Sequence, residues 1–507
     1  MLSPDYLDHA PDRLVLLWQQ VEDDILRDVA RRISKMETLT PTANWQLWRY
    51  QQTEALRQDV VKKLARYTGK SETEIRRLMQ EAATRAMEAE DEIYYHYGKE
   101  PTPFAENPAL QALLNAGYQQ TAGTFQNLTG TTANTVSGQF EAALDRAYLK
   151  VSSGAFDYKS AIKSAVDSLA DGMKYVTYPT GHKDTLEVAC RRAVLTGVNQ
   201  TGAKLQVARA DEMGVEFFET TAHGGARPSH TEWQGRQFHR GGAVDYLGKH
   251  YPDFESATGY GTGAGLCGWN CRHTFFAIFP ELGSPPTWTQ ESLEKLNARD
   301  IEYNGGKYTA YEISQMQRAK ERTVRKYKRR YLAEDAAGSD TTQSAVKLRQ
   351  ARQELAEFVK ATGSRADSSR TMVSGFGRSA ASKASFLARK QECFDAANTE
   401  LQQMREAGTI KARGKLIESP PAPNVLNFAS EHVLQRWAER GMGPMDVERI
   451  IQSSKVAMSQ RNGTQTCYYS ELGFAAVGQD GSVSSIGPLD EGGKKLMEVV
   501  KKHGLSH

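Results

Sequence analysis

A row of large apolar residues at three- and four-residue steps, Leu14, Trp18, Val21, Ile25, Val29, Ile33 and Met36, constrains this chain more than any other feature. Side chains at that spacing share one face of an α-helix, so the row predicts an amphipathic helix that must bury that face. After Pro41 the period resumes with Trp45, Trp48, Leu56, Val60 and Leu64, and Gly69 stands where a helix would end. Ser71 and Glu74 then have the spacing of a capping box, which predicts a further helix through Ile75, Leu78 and Ala82. Residues 1–150 are expected to be a helical packing region without a cluster of catalytic side chains.

The pattern changes after residue 150. A helix is expected around Ala161–Leu169, a short strand over Lys174–Tyr178, and a long helix from Thr185 to Met213 closed by Gly214. Val215–Thr220 reads as a strand. Beyond it lies a loop-rich stretch dense in Gly, His and aromatic residues, ending in Leu266-Cys267-Gly268-Trp269-Asn270-Cys271-Arg272-His273. Residues 311–333 form a helix of another kind, crowded with Arg318, Lys320, Arg322, Arg325, Lys326, Lys328, Arg329 and Arg330. It would be roughly 35 Å long at 1.5 Å per residue, with basic side chains all round. Pro420-Pro421-Ala422-Pro423 marks a stiff boundary, and the remainder reads as two helices followed by strands with turns at Arg461-Asn462-Gly463 and Gln479-Asp480-Gly481.

At 507 residues the chain has room for about three domains. The expected class is α+β, predominantly helical. Its parts are a helical region (1–150), an α+β module (151–290), a basic helical segment (291–365), a flexible connector (366–423) and a small α+β domain (424–507). A net charge of +3 is too mild to argue for nucleic acid by itself. No run approaches the ~18 apolar residues of a membrane span, and Met1–Tyr6 lacks the basic and apolar regions of a signal peptide. Five cysteines, an odd set, argue against a disulfide framework and for assembly in a reducing host cytoplasm.

Several stretches, in order, resemble the phage minor capsid protein 2 family, related to the Mu F-like minor head proteins. They are Arg191-Arg192-Ala193 with Thr196–Thr201; Thr221–His230 followed by Trp233-Gln234-Gly235; Gly259-Tyr260-Gly261-Thr262-Gly263 leading to Cys267–His273; and Tyr311–Gln315 entering the basic helix. The resemblance covers roughly residues 1–380. It implies a low-copy structural protein of a tailed-phage head, located in the virion near the portal, with portal and other head proteins as partners.

Three sites carry chemistry. Cys267, Cys271 and His273, with His223 and His230 upstream, supply ligand types for a tetrahedral structural zinc. The Cys-x3-Cys-x-His spacing departs from the usual knuckle, and packing cysteines and histidines are the plain alternative. No nucleophile elbow, HExxH or carboxylate pair accompanies them, so this module reads as scaffold rather than enzyme. The basic helix could neutralise phosphates of packaged double-stranded DNA in a salt-dependent way, or meet an acidic partner. In the C-terminal part, His432, Arg436 and Arg440 stand at i, i+4 and i+8 on one helical face, with Tyr468 on a later strand. That order loosely resembles phage-encoded nuclease domains of the barnase–EndoU–colicin–RelE type. The resemblance implies an alternative in which the domain is a virion-delivered ribonuclease acting on an RNA substrate. His432 would move the proton there, and Arg436 or Arg440 would hold phosphate. A third reading is a DNA-packaging factor absent from the mature particle.

Overall fold

The computed structural model describes every residue except 37–41, 154–156, 179–180, 429–434, 436–438 and 507; at 42–44, 129–130 and 172 it describes the backbone alone. The chain divides into two compact units, Met1–Ala380 and Ala381–His507. The boundaries expected at 150 and 290 fall inside the first. No helix among the described residues is long and apolar enough to cross a membrane.

The first unit opens with α1 (Pro4–His9) and α2 (Asp12–Ser34), whose apolar row is buried from Leu14 to Ile33. The next helix, α3 (Thr42–His96), runs through the expected stop at Gly69. Ser71 does not cap anything. Its hydroxyl donates to the Tyr67 carbonyl and accepts the buried Trp18 indole N–H at 3.0 Å. Packing of α2 on α3 therefore outweighs the modest cost of one interior glycine, and Leu56, Leu64, Ile75 and Ala82 form one buried row.

Four elements follow: α4 (Pro108–Ser152), α5 (Tyr158–Gly172), the small hairpin β1 (Val176–Thr177) and β2 (Lys183–Asp184), and α6 (Leu186–Met213). Thr185 caps α6 at its start, and Gly214 closes it at φ 65°. Two glycines let α4 and α6 approach closely. A Cβ on Gly117 would meet Thr201 Oγ1 at 2.2 Å, and one on Gly197 would meet Thr121 Oγ1 at 2.2 Å. Gly197 of the Thr196–Thr201 stretch is thus a helix-crossing residue.

A small sheet of β3 (Phe217–Thr220), β4 (Gln237–His239) and β7 (Phe275–Ala277) follows, in antiparallel order β4-β3-β7. The hairpin β5 (Val244–Tyr246) and β6 (Lys249–Tyr251) and the short α7 (Phe254–Thr258) lie between β4 and β7 in sequence. Phe218, Phe254 and Phe275 form an aromatic core with Tyr94 of α3. Glu90, buried on α3, accepts the Ala277 N–H and the Gln206 amide, tying α3 and α6 to the edge of the sheet.

After α8 (Gln290–Leu296) and the hairpin β8 (Ile301–Tyr303) and β9 (Gly306–Tyr308) comes the basic helix, α9 (Ala310–Ala336). A capping box of Thr309 and Glu312 starts it. It packs against α2, α5 and α10 (Thr342–Thr362), so the basic side chains expected all round it meet neighbouring helices. Among the described residues, all the cations named on it except Arg322 find carboxylate or carbonyl oxygens. Arg329 meets Glu22 at 2.8 Å and Asp23 at 2.7 Å, Arg325 meets Glu187 at 2.9 Å, and Arg330 meets Asp167 at 2.5 Å. Lys326 pairs with Asp171, Lys320 with Glu354 and Arg318 with Asp8, while Lys328 donates to the Thr371 carbonyl.

The second unit begins with α11 (Arg378–Glu406) and β10 (Lys415–Glu418). The stretch 366–423 therefore carries a long helix and a strand where a flexible connector was expected. Then come α12 (Pro444–Ser453), β11 (Val456–Gln460), β12 (Gln465–Ser470), β13 (Gly473–Gly478), β14 (Val483–Gly487) and α13 (Glu491–Lys502). The strands form one antiparallel sheet in chain order, β10 to β14. Phe394 and Leu401 of α11 and Leu496 and Val500 of α13 cover one face. Val447 and Ile450 of α12 cover the other.

Candidate metal centre and its cavity

The loop between α7 and β7 is built on close backbone approaches. A Cβ on Gly265 would fall 2.1 Å from the Gly259 carbonyl oxygen, and one on Gly268 would fall 2.5 Å from that of Gly263. Cys267 and Asn270 both hold positive φ, 59° and 54°, a conformation that side chains adopt at a cost. From α6, Asn199 Nδ2 donates to the carbonyls of Cys271 and His273, both at 3.0 Å. Thr221 and Thr274 exchange backbone and hydroxyl bonds, so the end of β3 holds the same segment from its other side.

These constraints bring three of the five expected metal ligands together. His230 Nδ1 and His273 Nδ1 lie 3.4 Å apart, and Cys271 Sγ lies 3.8 Å and 3.6 Å from them. All three side chains are buried. Cys267 is not a member: its thiol donates to the His273 carbonyl at 3.5 Å. His223 also stands outside the trio, stacked on the His273 ring with centroids 4.4 Å apart. Burial lowers the basicity of all three imidazoles, His223 to about 4, and raises the Cys271 thiol.

Beside the trio is a cavity of about 510 Å³, which His223, His230, Cys271 and His273 line together with arginines from distant parts of the chain. Its electrostatic centre is Asp8. This carboxylate receives Arg370 at 2.9 Å, Arg272 and Arg318 at 3.6 Å, and Arg191 at 4.0 Å. Burial alone would raise the Asp8 carboxyl, but Arg272, Arg370, Arg318 and Arg191 together hold it below the usual carboxylate range. Burial and the neighbouring Arg370 push Arg318 down to about 10 despite Asp8. Arg227 and Arg322 also line the cavity and have no carboxylate partner among the described residues. Nothing local in the sequence marks Asp8, since its partners are brought to it by folding. Gln234 and Asn199 belong to the quoted stretches, but their positioning roles are visible only once β3, α6 and the loop are assembled.

In the second unit two of the four candidate nuclease residues are described. His432 and Arg436 lie outside the described residues. Arg440 is exposed, and its guanidinium donates to the Ile486 carbonyl. Tyr468 is buried under α12, and its hydroxyl donates to the Pro421 carbonyl at 3.3 Å.

A family model described as phage minor capsid protein 2 matches residues 2–360, nearly the whole first unit. No curated protein and no solved structure matches.

Proposed function

The chain belongs to the phage minor capsid protein 2 family, and from that premise we propose that it is built into the head in few copies, close to the portal. Membership makes it a phage capsid component, with other head proteins as partners and the virion as its location. The observation that carries the finer reading is the match itself, which spans residues 2–360 of the first unit. A surface suited to a neighbour supports it. Leu47, Tyr50 and Leu149 are exposed at the end where Trp45 of α3 stacks on Tyr148 of α4 at 4.8 Å. Mass spectrometry of purified particles is expected to find the chain at a low, fixed ratio to the portal protein. Its absence from particles would leave the packaging-factor reading in its place.

Packaged double-stranded DNA is the proposed second partner, met through Arg227 and Arg322 at the cavity rather than through the paired cations of α9. Each phosphate neutralised contributes about −0.9 to the slope of log affinity against log salt, so two contacts predict a slope of about −1.8. Release of every cation named on α9 would give roughly −7 by the same rule. A salt titration of the full-length protein on duplex DNA distinguishes these values. No binding even at low salt removes DNA from the reading.

The second unit supports a different class of function, a nuclease carried with the head. It forms a compact body beyond the matched residues, with a continuous antiparallel sheet covered on both faces. Its candidate residues reduce to His432 as proton-transfer group and Arg436 or Arg440 as phosphate ligands for RNA.

A further inference from the structure

The trio of His230, Cys271 and His273 has the dimensions of three corners of a tetrahedron around a metal. Zinc bonds of 2.0–2.1 Å to nitrogen and 2.3 Å to sulfur, at tetrahedral angles, separate two nitrogens by about 3.4 Å and a nitrogen from a sulfur by about 3.6 Å. The observed separations are 3.4, 3.6 and 3.8 Å.

The hydrogen-bond partners fix which nitrogens are free. His230 Nε2 lies 2.9 Å from the Ala264 carbonyl oxygen, which can only accept, so Nε2 carries the proton. His273 Nε2 lies 3.0 Å from Gln234 Oε1. The Gln234 amide is oriented at both ends: Oε1 also accepts the His223 backbone N–H, and Nε2 donates to Asn297 Oδ1 at 2.9 Å. His273 Nε2 is therefore a donor too. Both Nδ1 atoms are left with bare lone pairs facing each other at 3.4 Å, in a buried place. The Cys271 thiol proton can satisfy one of them but not both. A cation bound by all three atoms satisfies the whole set, and an outer acceptor on each imidazole is the usual way a ligating histidine is held.

We propose that His230 Nδ1, Cys271 Sγ and His273 Nδ1 bind a zinc ion, with the fourth coordination position left to water or a small anion from the arginine-lined cavity. The imidazole and thiolate donors select zinc over magnesium or calcium, which take oxygen. Three protein ligands are the arrangement of an accessible zinc rather than a sealed structural one. The set differs from the one expected from sequence, since Cys267 and His223 are left out. It stands whether or not the chain enters the particle.

The test uses full-length protein, purified untagged and without chelator. Elemental analysis is expected to find about one zinc per chain. After removal of the metal by chelation, titration with cobalt(II) alone should produce the visible bands of a tetrahedral ion and a thiolate-to-cobalt charge-transfer band. Cys271→Ser should abolish that band, and Gln234→Ala, which removes the outer acceptor together with its bonds to the His223 N–H and Asn297, should weaken metal affinity about 10- to 100-fold. Cys267→Ser should keep both stoichiometry and spectrum. Protein that holds no metal, or cobalt spectra of the parent without a thiolate band, overturns the site even if Cys271→Ser does not fold. Loss of zinc from a folded Cys267→Ser variant overturns the open three-ligand arrangement.

Discussion

Replacing Arg329 by Met is expected to destabilise the first unit by about 3–5 kcal/mol, the cost of stripping a buried ion pair of one partner. Glu22 and Asp23 are both almost wholly buried on α2, and Arg329 is the cation that reaches both. Burial pushes the Glu22 carboxyl up to about 7 even with that guanidinium present, and raises Asp23 as well. Without it, the pair faces the interior uncompensated. Met retains most of the side-chain volume, so lost packing is not the main cause. The loss is a large share of the 5–15 kcal/mol that holds a typical domain together. Denaturant unfolding of residues 1–380, followed by tryptophan fluorescence, measures it. Arg322→Met is the control, because an exposed cation without a carboxylate partner should shift stability by no more than about 0.5 kcal/mol. Changing Glu22→Gln and Asp23→Asn along with Arg329→Met should recover much of the loss. Equal stability of the Arg329 and Arg322 variants would mean that α9 is not clamped onto α2.

The same helix shows why some of this fold was legible in sequence and some was not. The α2 row and both ends of α6 were readable because their signals are local: a period, a Thr185 cap, a glycine at left-handed φ. The acids that neutralise α9 include Asp8, Glu22, Asp23, Asp167, Asp171, Glu187 and Glu354, scattered along the chain and silent until it folds. A segment so rich in charge looks solvated by composition, yet its cations sit in a web of buried and half-buried pairs. Ser71 failed as a cap for a related reason. Its hydroxyl was claimed by Trp18, a partner 53 positions away.

The candidate centre was half legible. Residue types and stretches pointed to the His and Cys cluster, but spacing could not choose among five ligands. The choice is made by backbone conformation: positive φ at Cys267 accompanies a thiol bonded to a carbonyl, while Asn199 holds Cys271 and His273 from α6. Asp8 and its arginines were invisible, because a cluster that joins α1, α6, the loop and α9 has no sequence pattern.

Expressed alone, residues 381–507 are expected to fold cooperatively, whereas residues 424–507 are not. The shorter piece lacks α11 and β10. It loses Phe394, Ala397, Leu401 and Leu416 from one core layer and strips the partner from β11, whose register with β10 runs from Lys415–Ser459 to Glu418–Val456. Asn398 reinforces that edge, bonding both the N–H and the carbonyl of Leu416. Deleting a single large apolar core side chain costs roughly 2–5 kcal/mol, so losing several together exceeds what a domain of this size holds in reserve. Circular dichroism melts of the two pieces decide it, and a matching cooperative transition in 424–507 would sink the assignment of α11 to this unit. The nuclease reading must then be tested on 381–507. Growth arrest on its expression, lost on His432→Ala and retained on Tyr468→Phe, would support it. Tyr468→Phe should be tolerated because, among the described residues, that hydroxyl's hydrogen-bond partner is the Pro421 carbonyl. Equal arrest by the His432→Ala variant would remove the proton-transfer role, and no arrest by a folded 381–507 would remove the toxin.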